Sequence, residues 1–187
     1  MKRWVTLSLA GVSLVGLLVV CSCTVQNGTV SPEPQTFSNY GFSFEYPSDF
    51  VLLETGSLEG DNSYQEGSVV VRTQAEGINS FGILWLEAEP DEEPYSFLEE
   101  RIDLFVTDPD LKEVSHWNED TRSGYHLIYR AFTVTSDSGG TLHGVTGGLY
   151  SEDSQRCFVF YYTNSTVNNR EKAIANLMAY LDTFRCE

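Results

Sequence analysis

Two cysteines, Cys21 and Cys23, close an apolar run over residues 5–20, where a thiol is placed to carry a lipid. Lys2 and Arg3 precede the run and make the N-terminus positive. The run is shorter than the about 20 residues that a membrane-spanning helix needs. It suits the apolar core of a signal peptide. The segment therefore predicts export, with lipid attachment at one of the two thiols.

The residue before each cysteine decides which thiol is the predicted lipidation site. In the lipobox of bacterial lipoproteins, a small residue precedes the cysteine that receives a diacylglyceryl group, and cleavage occurs between them. Ser22 fits this position before Cys23, whereas the bulky Val20 precedes Cys21. Cys23 is the predicted site and Cys21 the alternative, and an ordinary secretory leader or an uncleaved anchor stays open. Two or more acyl chains would anchor the protein stably.

The anchor hypothesis divides the chain into three parts. Residues 1–22 would be the signal peptide, and residues 23–36 the lipidated cysteine with a polar tether containing Pro32 and Pro34. Fully extended, that tether would reach about 45 Å. Residues 37–187 would be the folded domain, held at the cell membrane on its extracytoplasmic side, at the cell surface or in the periplasm.

Three histidines, His116, His126 and His143, are the candidate metal ligands. None is paired at helical i, i+4 spacing, and the sequence contains no Cys-x-x-Cys. His126 and His143 fall on neighbouring predicted strands, where they could meet on one face. The acidic stretches 87–94 and 108–113 lack the alternating ligands and the glycine of a calcium loop. We therefore predict no metal site and no cofactor.

Ser138 stands in the sequence TSDSGG, residues 135–140, which resembles the surroundings of the nucleophilic serine in trypsin-like proteases. That chemistry needs a histidine base held by a buried aspartate, and backbone donors for the oxyanion. The alanine-histidine-cysteine sequence of those enzymes is missing, and the chain is too short for their two barrels. Asp, Ser and two Gly are also what a hairpin turn requires. We predict a turn and no catalytic residue, which leaves a hydrolase as the least favoured function.

Alternation of apolar and polar residues predicts most of the strands. Phe42, Phe44 and Tyr46 alternate with polar neighbours, and the strand 50–54 is expected to pair with theirs. The strand 81–89 is apolar on both faces, which is typical of a central strand covered on both sides. The other predicted strands are 68–73, 124–135, 141–150 and 156–163.

Two helices are predicted from apolar residues at helical spacing. Asp91 and Glu92 are the predicted caps of the first helix. Pro94 lies near its first turn, and the apolar stripe follows. Asn168 or Asn169 caps the second. The two stripes are Phe97, Leu98, Ile102 and Phe105, then Ala173, Ile174, Leu177, Met178, Leu181 and Phe184. This order of elements predicts an α+β fold, an α/β/α sandwich with a central antiparallel sheet of about six strands.

The opening Tyr-Gly-Phe-Ser-Phe-Glu-Tyr-Pro-Ser at residues 40–48 and the closing helix ending in Tyr-Leu-Asp-Thr-Phe resemble the PsbP-like superfamily. That superfamily includes extrinsic photosystem II subunits, the Mog-type nuclear transport factor and bacterial envelope lipoproteins. The resemblance covers residues 37–184. It implies an accessory or binding role without catalysis, and no individual site residue carries over from it.

A disulfide between Cys157 and Cys186 is predicted for the domain. Once the leader is removed and one thiol carries lipid, two of the four cysteines remain, in a compartment where disulfides persist. The strand 157–163 would span roughly 23 Å, and a helix over 169–185 would return about 25 Å. Closing a loop of about 30 residues would stabilise by roughly 3–4 kcal/mol. Two buried or fraying thiols are the alternative.

The charge balance restricts the partners. The chain has 11 basic and 27 acidic residues, a net charge of −16. Without a leader that carries Lys2 and Arg3, it would be −18. Nucleic acid and anionic lipid would repel such a surface, while basic protein faces, cationic peptides or divalent ions remain as candidates. We predict a membrane-anchored, non-enzymatic module for an unknown, basic protein partner; the alternative is an envelope protein that binds a small ligand or a cation.

Overall fold

The computed structural model describes residues 33–55, 63–73, 79–88, 93–107, 111–135, 140–166 and 169–187. Within these ranges the chain forms eleven strands and two helices. In chain order they are β1 (Gln35–Asn39), β2 (Phe42–Tyr46), β3 (Phe50–Thr55), β4 (Gly67–Thr73), β5 (Asn79–Glu87), α1 (Pro94–Val106), β6 (Leu111–Val114), β7 (Asn118–Arg122), β8 (Tyr125–Thr135), β9 (Thr141–Ser151), β10 (Arg156–Asn164), α2 (Arg170–Leu181) and β11 (Arg185–Cys186).

In the described part of the chain, the strands form two antiparallel sheets. The main sheet has eight strands in the order β3-β4-β5-β10-β9-β8-β6, with β7 paired to β8. The small sheet has the order β1-β2-β11. The α+β class is confirmed, but the main sheet is larger than the six strands expected. The missed strands β6 and β7 have the sequences LKEV and NEDTR, which show no alternation of apolar residues.

The two faces of the main sheet are covered by different elements, as the alternation along β10 shows. Phe158, Phe160 and Tyr162 belong to the core cluster that contains residues of α2 and the small sheet. Cys157 and Val159 belong to the cluster beneath α1. Successive strand residues point to opposite faces, so the main sheet lies between α1 on one side and α2 with the small sheet on the other.

The predicted pairing of strand 50–54 with strand 42–46 is wrong. β3 pairs with β4 at the edge of the main sheet, whereas β2 pairs with β1 and β11. The N–H of Phe50 donates to the carbonyl of Pro47 at 3.1 Å, which closes a tight turn between the two sheets. Phe44 and Phe50 both belong to the larger core cluster. The two strands therefore contribute to one core from different sheets and do not share a ladder.

Helix α1 begins one residue later than its predicted caps indicate. Glu93 is the N-cap, and its Oε2 accepts a hydrogen bond from the N–H of Ser96 at 2.7 Å. This hydrogen bond lowers the pKa of Glu93. Asp91 and Glu92 lie outside the described residues. Acceptance of a first-turn N–H by an acidic side chain is what a helix N-terminus favours.

Helix α1 approaches the sheet closely at Gly148 in β9. A Cβ atom at that position would lie 2.7 Å from Cδ2 of Leu98 and 3.3 Å from Cδ1 of Ile102. Leu98 and Ile102 are fully buried. The absence of a side chain at Gly148 thus lets the apolar stripe of α1 lie directly on the strand.

Helix α2 contains the predicted apolar stripe up to Leu181, where the helix ends before Phe184, and one of its two candidate caps is confirmed. Asn169 is the N-cap, and its Oδ1 accepts from the N–H of Lys172 at 3.0 Å. Ala173, Leu177 and Leu181 are buried in the core cluster shared with the small sheet. The cap fixes where the helix begins, and the stripe fixes which side faces the sheet.

Candidate functional site

The residues with the sharpest sequence signal lie outside the part that the structure describes. Cys21 and Cys23, the candidate lipidation sites, fall in residues 1–32, and Ser138 falls in residues 136–139. Lipidation at Cys23 therefore stays a prediction. Across the described ranges, no helix is long and apolar enough to cross a membrane.

The structure does not bring His126 and His143 together. Strands β8 and β9 are neighbours, as predicted, but His143 pairs with Thr133, seven residues along β8 from His126. Seven residues of strand correspond to about 23 Å. The two histidines, which could have met on one face, therefore lie apart, because neighbouring strands place only residues in register side by side.

The local contacts of the histidines also differ from those of a metal centre. Nε2 of His126 lies 4.0 Å from Oε2 of Glu119, and its ring packs edge-on against Tyr95 with centroids 4.9 Å apart. His116 is exposed in the segment between β6 and β7. The described residues contain no group of three or more His, Cys, Asp or Glu placed to hold a metal ion.

The predicted disulfide between Cys157 and Cys186 is not formed in the structure. The lengths of strand and helix correctly placed Cys186 near the start of β10. The neighbours of the two cysteines meet there, because the carbonyl of Gly41 accepts from both Glu187 N and Arg156 Nη2. However, Cys157 points to the α1 side of the main sheet, whereas Cys186 packs on the opposite side. The backbone of the sheet separates the two side chains, so the predicted pairing is wrong.

Arg156 is a fully buried cation at the start of β10. Its guanidinium donates to the backbone carbonyls of Tyr40 at 2.6 Å, Tyr64 at 2.7 Å and Gly41 at 3.1 Å. It also lies over the rings of Tyr64 and Phe158, 4.2 and 5.0 Å from their centroids. Burial lowers its pKa. These contacts join the β1–β2 turn to the main sheet, which is a structural role.

An open cleft of about 660 Å³ lies between α2, the β2–β3 turn and the ends of β5 and β10. We call it the α2 cleft. Its aromatic wall is formed by side chains that are at least nine-tenths buried. They are Tyr46, Phe50, Tyr162 and Tyr180. Sites for small ligands typically have volumes of roughly 300–1,000 Å³, and the volume of the α2 cleft falls in this range.

A hydrogen-bonded group of polar side chains surrounds the hydroxyl of Tyr162, a residue that lines the α2 cleft. The hydroxyl of Tyr162 accepts from Nδ2 of Asn164 at 2.8 Å and from Nδ2 of Asn176 at 2.7 Å. Oδ1 of Asn164 accepts in turn from the N–H of Thr166 at 2.7 Å. The group links the end of β10 to α2, so it holds the cleft in one shape.

Two carboxylates, those of Glu45 and Asp49, line the α2 cleft, and neither has an ion-pair partner among the described residues. Oδ1 of Asn79, another residue of the cleft, is buried and has no hydrogen-bond partner among the described residues. Burial, and then the charges of Tyr162 and Asp49, raise the pKa of Tyr180, which therefore keeps its proton at neutral pH. Among the residues that the structure describes, no lysine or arginine lines the cleft.

The overall architecture is shared with two solved structures. A cyanobacterial PsbP (CyanoP) from Synechocystis is 16% identical, with a TM-score of 0.56, over 90% of this chain and 99% of that one. The Ran-binding protein Mog1p from Saccharomyces cerevisiae is 10% identical, with a TM-score of 0.54, over 83% and 96%. The described domain has a PsbP/Mog-type fold. Neither a family model nor a curated protein matches the sequence.

Within this PsbP/Mog-type domain, the residues of the α2 cleft gave little signal in the sequence. Tyr162 and Asn164 stand in the strand sequence YYTN, where alternation alone explains them. Asn79 and Asn176 are single polar residues at element ends and helix surfaces, far apart in the chain. The one available signal was acidic: Glu45 and Asp49 flank the Tyr-Pro-Ser turn that the domain uses to pass between its sheets.

Proposed function

We propose that this chain is a lipid-anchored, extracytoplasmic protein whose PsbP/Mog-type domain is a non-catalytic interaction module for a protein partner with a basic surface. The observation that carries the proposal is the fold that the domain shares with Mog1p, which is described as Ran-binding. In that protein the fold serves recognition of another protein. The second similar structure, a cyanobacterial PsbP, shares the same fold.

The charge of the chain supports a basic partner. With 27 acidic and 11 basic residues, the chain has a net charge of −16, which gives its surface a negative field. Such a field attracts basic surfaces and speeds their association, and it repels nucleic acid and anionic lipid. Exposed charges are screened beyond about 8 Å at physiological ionic strength, so high salt should weaken the complex.

Attachment at Cys23 would hold the domain near a membrane whose anionic lipids repel the acidic surface of the domain. The residues between Cys23 and the start of β1 at Gln35 would form a tether that lets the domain stand off the surface and search for its partner. Mass spectrometry of the mature N-terminus tests the anchor: a lipid-modified Cys23 is expected. Cys23→Ser should abolish lipid labelling, and Cys21→Ser is the matched control that should keep it. An unmodified N-terminus, or a lipid on Cys21, would contradict the assignment.

The α2 cleft favours a second candidate function, that of an envelope protein binding a small ligand or a cation. Its volume and its aromatic wall are features of a ligand site. Equilibrium dialysis of the purified protein against a panel of radiolabelled amines and divalent metal ions separates the two functions. Tight binding of one free small molecule, with no protein crosslinked in cells, would favour the second candidate.

A further inference from the structure

We propose that the outer edge of β3 binds an extended segment of the protein partner, which adds to the main sheet as a further antiparallel strand and places a carboxylate opposite Val51, within reach of Arg72. The proposal rests on the proposed function for the source of that segment. The chemistry of the edge is independent of the partner's identity and can be tested with a peptide.

The first argument concerns the two edges of the main sheet. β3 is the last strand at one edge of the described sheet, and its six residues pair with β4 without a register shift. At the other edge lie β6, which has four residues and a register shift, and β7, whose sequence is NEDTR. Short strands, irregular pairing and charged residues prevent an edge from pairing with another chain. The sequence of β3 is FVLLET, so this edge lacks such protection over residues 50–53.

The second argument concerns the backbone of β3. Every second residue of a strand points its N–H and C=O groups away from the strand with which it pairs. On the outer side of β3, these groups have no strand partner among the described residues. When a peptide adds to the edge of a sheet, main-chain hydrogen bonds supply affinity and alternate side chains supply specificity. The edge therefore suits an extended segment.

The third argument concerns the side chains beside this edge. Phe50 and Val69 belong to the core cluster that contains residues of α2. Val51, Leu53 and Val70 alternate with them and so lie on the α1 side of the sheet, where they are only half-buried. Apolar residues of an added strand would pack beside these side chains. The added strand is therefore expected to carry apolar residues next to its acidic one.

The fourth argument concerns Arg72, which selects a carboxylate. Arg72 pairs with Val51 on the same side of the sheet. It is half-buried and has no hydrogen bond or ion pair with another described residue, although the chain has 27 acidic residues. Two strand spacings of about 4.8 Å would separate β4 from the added strand, a distance that an arginine and a glutamate side chain span together. A guanidinium has five donors and no acceptor, so a carboxylate complements it.

A carboxylate at this contact is compatible with a partner whose surface is basic overall. The net charge of −16 acts on the approaching partner as a whole and favours a basic one. The contact with Arg72 acts only at short range, because exposed charges are screened beyond about 8 Å at physiological ionic strength. The field would thus speed the encounter, and the contact with Arg72 would fix the register of the added strand.

The first test uses the full chain in detergent micelles and two peptides, acetyl-TVVEVT-amide and its neutral counterpart acetyl-TVVQVT-amide. In the proposed register, the acidic residue lies opposite Val51 and a valine lies opposite Leu53. The acidic peptide should slow hydrogen exchange at every second amide of β3, measured by NMR. Absence of protection in β3 would overturn the proposal.

A double-mutant cycle with the same peptides tests the role of Arg72. The neutral peptide should bind about three- to fivefold more weakly than the acidic one. Arg72→Met should remove this difference, whereas Arg72→Lys, which keeps the charge, should retain most of it. Equal binding of the two peptides to the wild-type chain, or a difference that persists in Arg72→Met, would overturn the contact.

Two N-methylated forms of the acidic peptide test the backbone pairing. One form has methyl groups on the amide nitrogens of its odd-numbered residues, and the other on those of its even-numbered residues. In an added strand, one set of nitrogens faces β3 and the other faces away. One form should therefore lose binding while the other keeps it. Equal binding of the two forms would overturn strand addition.

Photocrosslinking in cells separates the edge from the identity of the partner. Benzoylphenylalanine replaces Leu53 in β3 or, as the matched control, Thr121 at the opposite edge. Crosslinks from position 53 alone, to a partner segment that contains Asp or Glu, support the proposal. Crosslinks to a second copy or to another segment of this chain would overturn it, as would capture of the partner from position 121 alone. If no partner is captured while the acidic peptide protects β3, the proposed function fails and the strand site stands.

Discussion

Replacing Arg156 by methionine should destabilise the domain more than any other single loss of positive charge among the described residues. The methionine fills a similar volume but donates no hydrogen bond. The three carbonyls of Tyr40, Gly41 and Tyr64 then lose a charged donor that lies within 2.6–3.1 Å of each. Because these carbonyls belong to two separate segments, the change should loosen both from the start of β10.

The magnitude follows from the number of bonds and from what can replace them. Three hydrogen bonds to a charged donor give about 4.5–9 kcal/mol as an upper limit. The carbonyl of Gly41 keeps the N–H of Glu187 at 2.9 Å, and Tyr64 is 52% exposed, so water can reach that segment. Removing the buried charge also relieves its desolvation cost. The expected loss in the free energy of unfolding is about 2–4 kcal/mol.

Urea denaturation followed by tryptophan fluorescence measures this loss. Arg72→Met is the matched control, because Arg72 is a half-buried arginine in β4, and it should cost less than about 1 kcal/mol. Arg156→Lys should recover part of the loss, since an ammonium cannot reproduce the planar fork. A loss below about 1 kcal/mol for Arg156→Met, or one equal to that of the control, would refute the role assigned to the guanidinium.

Three further changes test the packing of the domain. Burial raises the pKa of Tyr161 to about 12 from the ordinary 10.0, so the free energy of unfolding should fall between pH 10 and pH 12. Tyrosine ionisation, followed by absorbance at 295 nm, should then occur at higher pH in the folded chain than in the unfolded chain. Coincident titrations of the two states would contradict this. Gly148→Ala should lower the free energy of unfolding by about 1–3 kcal/mol, because the added methyl group would displace α1 from β9. An unchanged midpoint of urea denaturation would show that the methyl group fits between α1 and β9. Asn169→Ala should cost about 1 kcal/mol through the lost cap while Asn169→Asp does not, and equal melting temperatures for the two would count against the cap.

Strands and helices with a strong apolar period were predictable from the sequence. Helix α2 combines a complete apolar stripe with a capping asparagine, so that its beginning and its buried side both followed. Strand β5 is apolar on both faces and lies inside the main sheet. In these elements the local pattern and the tertiary environment agree, because one buried face dictates the spacing.

The predictions were wrong where strand pairing or the face of a sheet depends on more than the local spacing of apolar residues. The strand at Phe50 resembles a partner for the strand before it, but a turn at Pro47 carries it to the other sheet. Chain length placed Cys186 at the correct end of β10, and only the register decided that Cys157 faces the other side. Spacing along the chain does not determine which face of a sheet a residue occupies.

The α2 cleft was not predictable for a related reason. It is assembled from the β2–β3 turn, the first residue of β5, the end of β10 and one side of α2. Each segment has an adequate structural explanation by itself. Only the antiparallel register of β5 with β10, which pairs Asn79 with Asn164, brings the polar groups to one place.

Crosslinking in intact cells, followed by mass spectrometry of what co-purifies, tests the central claim most directly. The chain is compared with its Cys23→Ser variant at physiological and at high salt. We expect one reproducible protein partner with a basic surface, captured by the wild-type chain, captured less by the variant and lost at high salt. Absence of any reproducible partner, together with turnover of a substrate that one point mutation abolishes, would contradict it.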